Sequence, residues 1–121
     1  VRAEHDLAAR NGGDEFCLVL DGTDKADAIE RAEALRRRIS ALDATALRPA
    51  ADASPVRITA SIGVAAFPAD AATAADLLAR ADAAMYHSKH TGRDGVSYAA
   101  PGGAFARLDG AERIGGAKSM G

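Results

Sequence analysis

Apolar and polar positions alternate in blocks that predict an α/β chain. Phe16-Cys17-Leu18-Val19-Leu20 has the aromatic and branched apolar content of a buried strand. Asp6-Leu7-Ala8-Ala9-Arg10 can be extended before it, so the two segments predict a β-hairpin with Gly12-Gly13-Asp14-Glu15 at its tip. Asp21-Gly22-Thr23-Asp24 is then a polar loop in which Thr23 or Asp24 can cap a helix. From there Ala28, Ala32, Leu35, Ile39 and Leu42 recur at spacings of 4, 3, 4 and 3, one helical stripe. Residues 43–55, rich in Ala, Asp and Pro, predict an irregular connection or a short edge strand.

Residues 56–65 read as the best strand in the chain. Ile58, Ala60, Ile62 and Val64 share one face, and the small residues Thr59, Ser61 and Gly63 share the other, where a helix or ligand could approach. Thr73 to Asp76 resembles a capping box. The helix that follows is predicted to run to about His90, with Leu77, Leu78, Ala81, Ala84, Met85 and Ser88 inward and Gly92 as a left-handed cap. Val96-Ser97-Tyr98 suits a short closing strand. Residues 1–99 therefore form the folded portion, and 100–121, with six glycines and no sustained periodicity, are expected to be a disordered tail.

Composition narrows the class without choosing a chemistry. At 121 residues the chain makes one small domain with a modest core. A net charge of −2 and only 4% aromatic residues give neither the basic patch nor the stacking platform of a nucleic-acid binder. The lone Cys17 sits in the apolar run and reads as a buried structural thiol. No apolar run approaches the roughly 18 residues of a membrane span, and no basic-then-apolar signal opens the chain. The segment reads as cytoplasmic and without membrane contact. The first residue is Val1, and almost nothing precedes the hairpin, so the sequence is expected to be a piece of a longer protein.

The hairpin tip carries the candidate chemistry. Gly12 and Gly13 permit positive φ and close approach of a ligand to the backbone. Asp14 and Glu15 offer hard oxygen ligands, the type that hold Mg²⁺ together with substrate phosphates, and free N–H groups suit phosphate oxygens. A solvated turn with two surface acids explains the same letters. Lys89 and Arg93, four apart across a helix end, could grip a polyphosphate or be two surface cations favoured by the helix C-terminus. Arg31, Arg36, Arg37 and Arg38 suit either an anion site or, as favoured here, a solvated helix face with Glu30 and Glu33 as partners. His87 and His90 could share a metal by spacing, but no acid or cysteine joins them, and surface histidines are expected.

Gly12-Gly13-Asp14-Glu15-Phe16, preceded by Asp6 to Arg10, resembles the GGDEF motif of diguanylate cyclases. Two later blocks resemble the same family in order. Thr59, Ser61 and Gly63 match its T-x-S-x-G strand, and residues 81–93 match its A-D-x-A-M-Y-x-A-K-x-x-G-R block, with Ser88 in place of one Ala. The resemblance covers roughly residues 2 to 99. It implies an α/β nucleotidyl-cyclase-like sandwich, with a central, mostly antiparallel sheet flanked by helices. It also implies a bacterial signalling enzyme, tied to biofilm control, that condenses two GTP into cyclic di-GMP and releases pyrophosphate.

Carried over residue by residue, Gly12 and Gly13 would approach the GTP phosphates. Asp14 would hold Mg²⁺ (or Mn²⁺), Glu15 would sit beside the reacting centre, and Lys89 and Arg93 would bind the terminal phosphates. Each domain holds one GTP, so a homodimer is implied, with an upstream sensor or receiver domain in a parent protein that could be membrane-anchored. The family's upstream half, with the other metal carboxylate and the guanine-binding residues, does not appear in these 121 residues, so the segment alone is expected not to cyclise GTP. A catalytically inactive GGDEF-like module that binds GTP or mediates regulatory dimerisation is the alternative; the intact motif favours the enzyme. The family's R-x-x-D inhibitory site is also incomplete. Asp6 matches, but its Arg position holds Ala3, and Arg2 is one residue off, which on a strand is the opposite face.

Overall fold

The structure is a computed structural model and describes residues 6–10, 16–42 and 58–108. Strand β1 (Asp6–Arg10) pairs antiparallel with β2 (Phe16–Leu20), in a register running from Asp6 opposite Leu20 to Arg10 opposite Phe16. The predicted hairpin is therefore present, and residues 11–15, which include Gly12, Gly13, Asp14 and Glu15, fall in its connection and lie outside the described residues.

Helix α1 (Lys25–Ser40) starts as the sequence suggests. Asp24 is its N-cap, and its carboxylate accepts the Asp27 N–H at 2.8 Å, satisfying one of the donors a helix start leaves open. Its buried side is not the expected stripe. Glu33 and Arg36 are the buried residues, whereas Leu35 and Leu42 are 38% and 56% exposed. The expectation of a solvated arginine face is thus corrected at Arg36. That guanidinium donates to both Glu33 oxygens, at 2.8 and 2.9 Å, and to Asp94 Oδ1 at 2.7 Å, while Glu33 also receives Arg37 at 3.0 Å. A paired charge, rather than Leu35, therefore faces inward. Hydrogen bonding to Glu33 in the first place, and then Asp94, raises the Arg36 pKa above its ordinary value against the opposing effect of burial.

A second sheet holds the folded core. β3 (Ser61–Val64) runs parallel to β4 (Gly95–Ala99), and β4 runs antiparallel to β5 (Phe105–Arg107). Helix α2 (Ala74–His90) supplies the crossover that a parallel pair requires. β3 is shorter than the predicted strand. Its register begins with Ser61 opposite Gly95, so residues 58–60 have no facing residue on β4. Residues 43–57 lie outside the described residues.

Alternation along β4 assigns the two faces. Gly95, Ser97 and Ala99 lie toward α2, and Val96 and Tyr98 lie toward α1, whose Lys25 ammonium stands 6.0 Å from the Tyr98 ring centre. Val96, Ala84, Ala99 and Leu108 are buried. The small face foreseen on β3 serves a helix: Gly63 lets the α2 backbone at Ala81, Ala84 and Met85 press against the strand. Thr73 caps α2 by accepting the Asp76 N–H at 3.1 Å. Of the expected inner stripe, Ala84 and Ser88 are buried, while Leu78 is 53% exposed.

The expectation of a disordered tail from residue 100 is corrected for 100–108. Pro101–Gly103 forms a 3₁₀ turn with Gly102 and Gly103 at φ 80 and 84, Ala100 N–H bonds Ala104 O at 2.8 Å, and β5 adds to β4. Glycine content there marks a turn between two strands, not a loss of structure. Residues 109–121 lie outside the described residues.

Candidate functional site

The sequence divides the site between the β1–β2 connection and the end of α2. The first part, Gly12 to Glu15, lies outside the described residues. The second part is described closely. Lys89 is in the last turn of α2, and Arg93 follows two residues after its C-cap, Thr91. Arg93 N–H donates to Ser88 O at 2.9 Å, the six-to-one bond of a Schellman ending, with Gly92 at φ 114 as its left-handed residue. The glycine cap read from sequence is therefore present.

The turn does not relax after Gly92. Arg93 and Asp94 also have positive φ, 54 and 44, and neither is glycine. Such residues are held at a cost of about 1–3 kcal/mol each and persist where surrounding contacts fix them. Those contacts come from two sides. Asp94 is bound by Arg36 of α1. Arg107 of β5 donates to Ser88 O at 3.2 Å, Thr91 Oγ1 at 3.1 Å, Arg93 O at 2.6 Å and Asp94 O at 3.3 Å. The Arg93 side chain is exposed, and among the described residues its guanidinium has no partner.

Beneath this turn lies a hydroxyl network. Ser88 and Ser97 hydroxyls are 2.6 Å apart; Ser88 also donates to Ile62 O at 3.3 Å, and His87 Nδ1 meets Ser97 at 3.0 Å. The two expected surface histidines thus differ. His90 is exposed with its ring centre 4.0 Å from that of Tyr86, whereas His87 is half-buried with its Nδ1 on the Ser97 hydroxyl. Among the described residues no three His, Cys, Asp or Glu side chains gather as a metal set. Asp14, the expected ligand, lies outside them.

A cavity of about 470 Å³ opens elsewhere, lined by Lys25, Asp70, Arg80 and the Ala100–Gly103 turn. Lys25 is already committed there to Asp70 at 2.9 Å and to the Ala99 carbonyl. Arg80 packs 4.8 Å over the Phe105 ring. Nine residues separate Arg80 from Lys89, roughly 13 Å of helix. The cavity is therefore not the space beside the two candidate cations. β5 and Arg107 are what sequence reasoning missed. The signal was the Pro101-Gly102-Gly103 cluster between two short runs, Val96 to Ala99 and Phe105 to Leu108, the pattern of a hairpin.

Taken together, these observations describe an α/β domain whose second helix ends in a clamped, cation-bearing turn. The family model described as "Diguanylate cyclase, GGDEF domain" matches residues 1–95, and the chain belongs to that family. It is 46% identical over 99 residues to the bifunctional diguanylate cyclase/cyclic di-GMP phosphodiesterase MucR of Pseudomonas aeruginosa, covering 81% of this chain and 13% of that protein. It is 35% identical over 92 residues to diguanylate cyclase A of Treponema denticola, covering 76% of this chain and 24% of that protein. Response regulator PleD of Caulobacter vibrioides is 37% identical over 91 residues, with 75% and 19% covered. The chain thus spans a quarter or less of the length of these relatives. Among the described residues no helix is long and apolar enough to cross a membrane.

Proposed function

We propose that this segment works as the GGDEF domain of a diguanylate cyclase, which condenses two GTP into cyclic di-GMP and releases two pyrophosphates. The observation that carries the reading is the end of α2. Lys89 lies in the last turn of α2 and Arg93 two residues past its C-cap, and the Arg93 guanidinium has no partner among the described residues. A polyphosphate suits that pair, with Arg as a planar fork and Lys as a point charge. Gly12 and Gly13 would let the phosphates approach backbone N–H groups, and Glu15 would sit beside the reacting centre.

Asp14 would hold Mg²⁺ (or Mn²⁺); a carboxylate is the hard donor that ion takes, and the ion supplies charge neutralisation at the phosphates. The 3′-hydroxyl of one GTP attacks the α-phosphate of the other, forming the new phosphodiester and expelling pyrophosphate. The same exchange in the opposite direction closes the ring. Two domains, each presenting one GTP, meet in a homodimer. The response-regulator name of PleD supports an input domain upstream in the working protein, and GTP supply supports a cytoplasmic site. The test is chromatography of products after incubating the full-length protein with GTP and Mg²⁺. Cyclic di-GMP and pyrophosphate are expected from the wild type and neither from Asp14→Asn; a wild type that consumes no GTP, or an Asp14→Asn variant that remains active, contradicts the reading.

A further inference from the structure

Arg107 lies beyond the stretch that matches the family model, yet it organises the turn that carries Arg93. One guanidinium nitrogen serves Ser88 O and Thr91 Oγ1, the other serves Arg93 O and Asp94 O. These acceptors are one carbonyl and one hydroxyl of the helical end and the two carbonyls of the left-handed residues. Space for the fork exists because residue 95 is glycine. A β-carbon there would overlap Arg107 Cζ and stand 2.8 Å from Nη1.

Arginine has no intrinsic preference for φ 54, so the turn depends on what grips it. Arg36 holds the Asp94 side chain but does not bond the Arg93 backbone. Arg107 does, and it also places a cation against the partial negative charge of the α2 C-terminus. Without it the local gain from leaving the left-handed region would compete with the turn, and Arg93 would move away from Lys89.

We infer that Arg107 is a positioning residue for the terminal phosphates of the nucleotide, acting through the backbone of Arg93. This rests on the phosphate-binding reading of Lys89 and Arg93. Lysine at 107 would keep the charge but cannot reach four acceptors as a planar fork.

The test uses the full-length protein and compares KM and kcat for GTP in wild type, Arg93→Ala, Arg107→Lys and the double variant. Loss of a charge-assisted contact at Arg93 is expected to raise KM about tenfold. Arg107→Lys is expected to raise KM several-fold with kcat little changed, the pattern of lost uniform binding. The double variant is expected to be no worse than Arg93→Ala alone, because a positioning residue has nothing left to position. Arg107→Gln carries the same expectation should the lysine variant fail to fold. If Arg93→Ala raises KM but Arg107→Lys does not, or if the two effects multiply, Arg107 has no positioning role and the phosphate reading stands. If Arg93→Ala leaves KM unchanged, the phosphate reading fails and this inference fails with it.

Discussion

Gly63 of β3 lies directly under Met85 of α2, so close that a β-carbon on the glycine would overlap the Met85 backbone nitrogen. Ala81 O would be overlapped too, and Ala84 C would be only 2.8 Å away. All three are helix backbone atoms, which cannot rotate aside as a side chain does. Gly63→Ala is therefore expected to push α2 off the sheet and to destabilise by about 3 kcal/mol or more, at the upper end of overpacking effects. Urea unfolding followed by circular dichroism measures this; a loss below about 1 kcal/mol would mean the contact is looser than described.

The buried charge cluster yields a second expectation. Arg36 and Glu33 are 8% and 6% exposed, so neither can be left alone cheaply. Arg36→Met takes two bonds from Glu33 but leaves it Arg37, and is expected to cost about 1–3 kcal/mol, whereas Glu33→Leu with Arg36→Met is expected to recover part of that loss. The pKa of Arg36 is raised in the folded protein. Its contribution is fully present below the ordinary arginine value and is lost only as pH rises through the raised one, so no loss from this group is expected across the neutral range. Paired denaturant titrations of single and double variants decide the matter, and equal stability of both would remove the cluster from the account.

The Ser88 and Ser97 hydroxyls share one short bond, and each has a further partner, Ile62 O or His87. Ser88→Ala and Ser97→Ala should each cost about 1–3 kcal/mol, as each leaves a buried hydroxyl short of one partner. The double variant removes both hydroxyls and is expected to cost less than the two added together. Strict additivity in a double-mutant cycle would show that the two groups do not interact.

Product inhibition gives a fourth expectation. Asp6 begins β1, opposite Leu20, and the arginine of an R-x-x-D pair is displaced from Ala3 to Arg2. Position 3, where that site's arginine would stand, holds Ala3, so added cyclic di-GMP is expected to inhibit GTP turnover weakly or not at all at micromolar concentrations. Submicromolar inhibition that disappears in Asp6→Ala would contradict this.

How legible each part was follows from the range of the force that shaped it. The hairpin, the cap at Thr73 and the Gly92 ending are local arrangements, written in residues a few positions apart, and the sequence shows them. Arg36 looked like one of several solvated arginines because its spacing reports only its own helix. One of its partners, Asp94, is 58 residues away. β5 was hidden by composition: glycines 102 and 103 read as disorder until β4 was available to pair with it. The places of Lys89 and Arg93 at the end of α2 were legible, but the left-handed backbone of Arg93 was not. Nothing in an arginine predicts φ 54; it arises from Arg107 and the helix ending together.

The most direct measurement of the central claim is the affinity of the full-length protein for GTP and for GMP, in wild type and in Lys89→Ala, by isothermal titration calorimetry with Mg²⁺ present. Only GTP carries the terminal phosphates assigned to Lys89 and Arg93. The account predicts that Lys89→Ala weakens GTP binding by about tenfold and leaves GMP binding unchanged. Equal weakening of both nucleotides, or no change in either, would contradict it.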